Sequence, residues 1–72
     1  MTTIYTARFG HTEESIPGTI ELSATSDSSA VIEIRQFVLN GYRNGTWANV
    51  QLSDGSVYCC KNEHGEAVGS HV

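Results

Sequence analysis

The chain has 72 residues, with eight acidic and four basic side chains, a net charge of −4 and 39% apolar content. A chain this short makes one domain and buries only about 60% of its unfolded surface, which leaves little room for a deep, dry pocket. The charge argues against direct nucleic-acid binding, which wants a basic stripe, and the spread of large apolar residues argues against pervasive disorder.

The start MTTIYTARFG has no charged segment leading into an apolar run, so a secretory leader is not expected. No window approaches the roughly 18 apolar residues of a membrane span. The expected setting is cytoplasmic, with no membrane partner and thiols kept reduced.

The first element is a strand over Thr3 to Phe9. Tyr5, Ala7 and Phe9 share one face, Thr6 and Arg8 the other, with Ile4 an apolar residue on the more polar side. Gly10 to Gly18 holds two glycines, Pro17 and the adjacent Glu13 and Glu14, and reads as a loop. TIELSA then alternates, with Ile20, Leu22 and Ala24 inward, and gives a second strand.

The period changes after Ala24. Ala30, Ile34, Phe37 and Val38 follow the i, i+4, i+7, i+8 stripe of an amphipathic helix, widened by Val31. Thr25 or Ser26 supplies an N-cap and Asp27 lies in the first turn, where a negative charge is favoured. Asn40-Gly41 is expected to end the helix, with the glycine in the left-handed region. Val31, Ile32, Ile34 and Val38 are β-branched, so packing against a sheet must supply much of the stability.

TWANVQL and VYCCKN flank SDGS, where Asp54-Gly55 predicts a two-residue type I′ turn. That turn sets Leu52 opposite Val57 and Val50 opposite Cys59. The core face is then Ala48, Val50, Leu52, Val57 and Cys59. Trp47, Asn49, Gln51, Tyr58 and Cys60 face outward. A further turn at His64-Gly65 leads to an optional edge strand over Glu66 to Val68, and residues 69–72 are expected to form a flexible tail. The sum is an α+β fold, ββαββ with four or five antiparallel strands and one helix packed on one face.

No catalytic set emerges. Adjacent strand residues point to opposite faces, so Cys59 and Cys60 cannot share one metal without breaking the strand. Their Cα atoms lie about 3.8 Å apart, closer than the roughly 4.4 Å at which disulfides begin. Zinc wants four ligands, and only His64 is near. His11, His64 and His71 lie in loops or the tail, without a motif joining them to a nucleophile. Neither enzymatic function nor a cofactor or metal is expected. Two features instead suggest binding. Trp47 and Tyr58 would lie together on the open sheet face, where aromatics mark interface cores, although they also stabilise hairpins by cross-strand packing. Glu13, Glu14, Asp27, Glu33, Asp54, Glu63 and Glu66 are spread over loops and the helix, and folding could gather them into a row of carboxylates standing in for phosphates.

The layout GTIELSATSDSSAVIEIRQFVLNGY followed by TWANVQLSDGSVY resembles small phage- and mobile-element-encoded proteins, among them anti-CRISPR inhibitors of type I surveillance complexes. The likeness lies in a strand, a Ser/Thr-capped helix and a hairpin, over about Gly18 to Lys61. It implies a non-enzymatic inhibitor that binds the CRISPR RNA–protein complex and blocks target DNA. Some members are basic, whereas this chain is acidic, which turns the expectation toward a DNA-mimicking contact on a basic surface. The expected partner-binding residues are the seven acids with Trp47 and Tyr58, in a monomer or homodimer. Two other readings remain open at this level. One is a regulatory module for another host protein or a small ligand, and the other is a small homodimeric enzyme.

Overall fold

The structure is a computed structural model that describes residues 4–12, 14–41 and 44–72. It is α+β, with five antiparallel strands in one sheet and one helix across one face. In chain order these are β1 (Thr6–Gly10), β2 (Gly18–Glu21), α1 (Asp27–Leu39), β3 (Trp47–Gln51), β4 (Val57–Glu63) and β5 (Glu66–His71). The spatial order is β2-β1-β3-β4-β5. Both β2 and β3 run antiparallel to β1, so β2–α1–β3 is a crossover that spans the strand between its ends.

The helix forms where its stripe predicts. Ser26 is the N-cap, accepting from the Ser29 amide, and the Ser29 hydroxyl closes the reciprocal bond to the cap amide at 3.1 Å. Ala30, Ile34 and Val38 are wholly buried, and Val31 and Phe37 partly so. They pack on Ala7, Ala48 and Val50, whose small or branched side chains let the helix lie close to the sheet. The C-terminus departs from the expected glycine cap. Asn40 stays right-handed at φ −78°, and the left-handed glycines are Gly45, Gly55 and Gly65. The helix end is held instead by Asn62 from β4, whose Nδ2 donates to the carbonyls of Val38 at 3.0 Å and Gly41 at 3.3 Å.

The β3–β4 connection corrects the predicted register by one residue. Gln51 faces Val57, Val50 faces Tyr58 and Ala48 faces Cys60. Leu52 and Ser56 close the loop, with the Leu52 amide on the Ser56 carbonyl at 2.8 Å and the Gly55 amide on the Leu52 carbonyl at 3.0 Å. The loop is thus three residues, Ser53-Asp54-Gly55, with Gly55 at φ 89° in the bulge position that follows a type I turn. A one-residue slip moves every side chain of a strand to the other face. Tyr58 and Cys60 are therefore core residues, 5% and 2% exposed, while Val57 and Cys59 lie on the open side. The two-residue turn occurs at the next hairpin. Glu63 faces Glu66, and His64 (φ 55°) and Gly65 (φ 86°) are both left-handed. The fifth strand is longer than expected: residues 69–71, assigned above to a tail, pair with β4.

Three aromatic rings lie on glycines. Phe9 covers Gly18, Trp47 covers Gly10 and Tyr58 covers Gly69, each so closely that a Cβ on the glycine would enter the ring. The sheet takes large rings flat against its surface because those positions carry no side chain.

Candidate functional site

The helix covers one face of the sheet and leaves the other open. Register assigns to the open face Thr19 and Glu21 of β2, Thr6 and Arg8 of β1, Trp47, Asn49 and Gln51 of β3, Val57, Cys59, Lys61 and Glu63 of β4, and Glu66, Val68 and Ser70 of β5. Its middle is the most apolar part. Trp47, Cys59 and Val68 border a shallow groove with Lys61 and Ser70. The Trp47 ring is fixed from two sides, by Gly10 beneath it and by its Nε1, which donates to the Thr12 carbonyl at 2.8 Å. It is half-buried and presents an aromatic surface at low conformational cost.

Tyr58 does not join it. Its hydroxyl accepts from Arg35 at 2.8 Å on the helix side, and its ring meets His71 edge-on with centroids 5.1 Å apart. The bond to Tyr58 holds the Arg35 guanidinium above its ordinary pKa. The aromatic pair expected on the open face is thus divided between the two faces.

The acidic residues separate into groups, and several are engaged within the fold. Asp27 accepts from the Tyr5 hydroxyl at 2.5 Å and from the amide and hydroxyl of Ser53 at 3.1 and 2.8 Å. These bonds, the one from Tyr5 first, hold its carboxyl below the usual carboxylate range, and the same bond raises the Tyr5 phenol. Asp54 accepts from the hydroxyl and amide of Ser56, at 2.6 and 2.9 Å, and is likewise lowered. Glu33 accepts from the hydroxyl and amide of Ser23, at 2.9 and 3.1 Å. Asp27 and Glu33 tie α1 to its neighbours, and Asp54 closes its own β3–β4 turn.

Glu21 ends β2, and three further acids lie at the other end of the strands. Glu14 is in the β1–β2 loop, and Glu63 and Glu66 face each other at the tip of the β4–β5 hairpin; all three are exposed. Glu14 and Glu63 border one cleft with Thr12, Asn44, Lys61 and His64. Glu13 lies outside the described residues. The fold therefore gathers Glu14, Glu63 and Glu66 with Trp47 nearby, and does not align all the acids in one row.

The cysteines are both free. Cys60 is buried, and that burial raises its thiol pKa against the opposing pull of Arg35. Cys59 lies half-exposed on the open face. Among the described residues no group of three His, Cys, Asp or Glu side chains converges as a metal site, and no helix is long and apolar enough to cross a membrane.

Sequence reasoning passed over Cys59, Lys61 and Val68 as open-face residues. The signal was present: Lys61 and Glu63 share the parity of Cys59, and two charges on that side argue that it faces water. The chain matches no protein-family model, and no curated protein or solved structure is significantly similar to it.

Proposed function

We propose that this chain acts by binding, as an inhibitor that docks on the basic DNA-binding surface of a type I CRISPR surveillance complex and blocks target DNA. The observation that carries the binding reading is the hairpin tip. Glu63 and Glu66 stand directly opposite each other, an arrangement in which like charges oppose folding, and Glu14 adds a third exposed carboxylate on the cleft that Glu63 shares with Lys61. A fold that accepts this repulsion gains where Lys or Arg of a partner meets the carboxylates in charge-assisted hydrogen bonds. Trp47 supplies the apolar anchor. The choice of target class rests on the resemblance of layout and on the negative charge.

The contact proposed is narrower than a long phosphate-like row. It consists of Glu14, Glu63 and Glu66 with Trp47; Asp27, Glu33 and Asp54 are occupied within the fold and Tyr58 is inside it. The test is target-DNA binding by a purified type I surveillance complex, with and without the protein, at low and moderate salt. Loss of DNA binding that weakens as salt rises, and that is relieved in the Glu63→Lys/Glu66→Lys variant but not in Asp54→Asn, supports the reading. DNA binding unaffected at any protein concentration refutes the choice of target. Inhibition insensitive to both salt and charge reversal refutes the acidic contact.

A further inference from the structure

The two edges of the sheet are unequal. At one side β2 has only four residues and follows Pro17, two devices that keep an edge from pairing. At the other, β5 runs six residues, EAVGSH, with no proline and no lysine. Its backbone phase follows from its last pair. Val57 and Val72 exchange both amide–carbonyl bonds, at 2.7 and 3.5 Å. In an antiparallel ladder bonded and non-bonded pairs alternate, so Glu66, Val68 and Ser70 turn their backbone groups toward β4. Ala67, Gly69 and His71 turn theirs outward. Among the described residues nothing meets these outward groups.

We propose that the free edge of β5 takes an extended segment of a partner protein by antiparallel strand addition, and that this segment carries an apolar residue followed two positions later by Lys or Arg. The side chains on the open face dictate that chemistry. A residue placed opposite Val68 continues the row of Trp47, Lys61 and Val68, where Val68 is 49% exposed and offers apolar surface. Val68 would form a non-bonded pair with it, the kind in which side chains approach most closely. In an antiparallel segment the next residue on this face lies opposite Glu66, at the end of the row Glu63–Glu66. A cation there meets two carboxylates and relieves their repulsion, whereas an acid would add a third like charge. Charge complementarity therefore selects a basic-ended strand; a second copy pairing its own Val68 with Val68 would set uncharged Ser70 opposite Glu66 and leave the repulsion unrelieved.

This inference rests on the reading that the chain works through a partner, and adds how the partner is gripped. It is tested without any nucleoprotein complex, so its failure and that of the target assignment are separable. The probe is a short peptide of alternating threonine and valine with one lysine two positions after the central valine; the control has glutamate in place of that lysine. Amide exchange is followed by NMR in the intact chain. The expected result is that the Ala67, Gly69 and His71 amides, fast in the free protein, slow by about tenfold or more as the lysine peptide saturates. The lysine peptide should bind about threefold or more tighter than the control, and Glu66→Lys should reverse that preference. Unchanged exchange at those three amides overturns the proposal, as does equal affinity for the two peptides. Protection that is already present in the free protein and grows with its concentration also overturns it, because a second copy then holds the edge.

Discussion

Replacing Asn62 by Ala removes one side chain that joins three parts of the fold. Asn62 is 4% exposed. Its amide nitrogen bonds the carbonyls of Val38 and Gly41 at the end of α1, and its oxygen accepts from the Gly65 amide at 3.1 Å in the β4–β5 turn. The bonds differ in what their loss costs. The Val38 carbonyl keeps the Gly41 amide as a partner at 3.1 Å, and the Gly65 amide, at an exposed turn, recovers water. The Gly41 carbonyl has less recourse. At about 0.5–1.5 kcal/mol for each bond the expected loss is about 2–3 kcal/mol. A chain of this length has a total stability of only about 4–11 kcal/mol, so the midpoint should fall by about 10–20 °C. Thermal and urea unfolding followed by circular dichroism measure this, with an unchanged urea slope showing that the two end states are the same. Asn49→Ala, on the open face, is the control and should change little. A loss below about 0.5 kcal/mol for Asn62→Ala would refute the reasoning, because the helix end would then be satisfied without Asn62.

Two further outcomes follow from titratable groups. The depressed Asp27 carboxyl favours folding above its unfolded pKa of about 3.9, and that contribution is lost as pH falls through its folded value; the raised Tyr5 phenol contributes below about pH 10 and is lost as pH climbs above it. Urea midpoints measured against pH should therefore fall off at both extremes, and Tyr5→Phe should flatten the alkaline limb while weakening the acid one. The two thiols should react in separate phases with an aromatic disulfide reagent. Cys59 reacts in the native state, and buried Cys60 reacts only as the chain opens. Simultaneous native-state labelling of both would contradict the observed register.

Much of the fold is legible in the chain because each element carries its own period. The helix stripe of Ala30, Ile34 and Val38, and the alternation of Ile20 and Leu22, each admit one reading. The β3–β4 hairpin does not. Asp-Gly serves a two-residue type I′ turn and also the last two positions of a three-residue loop, and Val57, Tyr58, Cys59 and Cys60 offer apolar side chains to both faces. Local turn chemistry and the apolar pattern leave the register undecided there, and the charges of Lys61 and Glu63 decide it by staying in water. The candidate site inherits the same ambiguity. Trp47 lies on the open face as its place on β3 predicts, whereas Tyr58 belongs to the strand whose register is ambiguous and turns inward. The grouping of Glu14 with Glu63 and Glu66 depends on β1 lying beside β3, a long-range pairing that no local pattern encodes. The helix cap from Asn62 is equally non-local, since donor and acceptors lie on different elements.

The strand order β2-β1-β3-β4-β5 also sets the route by which the chain assembles. β3, β4 and β5 meet across loops of a few residues, and β1 meets β2 across one loop. Only the β1–β3 seam requires the chain to close around an entire hairpin and helix, and long closures carry the larger entropic cost. The N-terminal hairpin and the C-terminal meander are thus local units, and the slow event is the docking of one on the other beneath α1. During synthesis β1 has only β2 to pair with, and no strand is available for its other side until β3 follows. In that interval a strand that is interior in the finished sheet is an exposed edge, and it is there that a slowed or crowded chain would first pair wrongly.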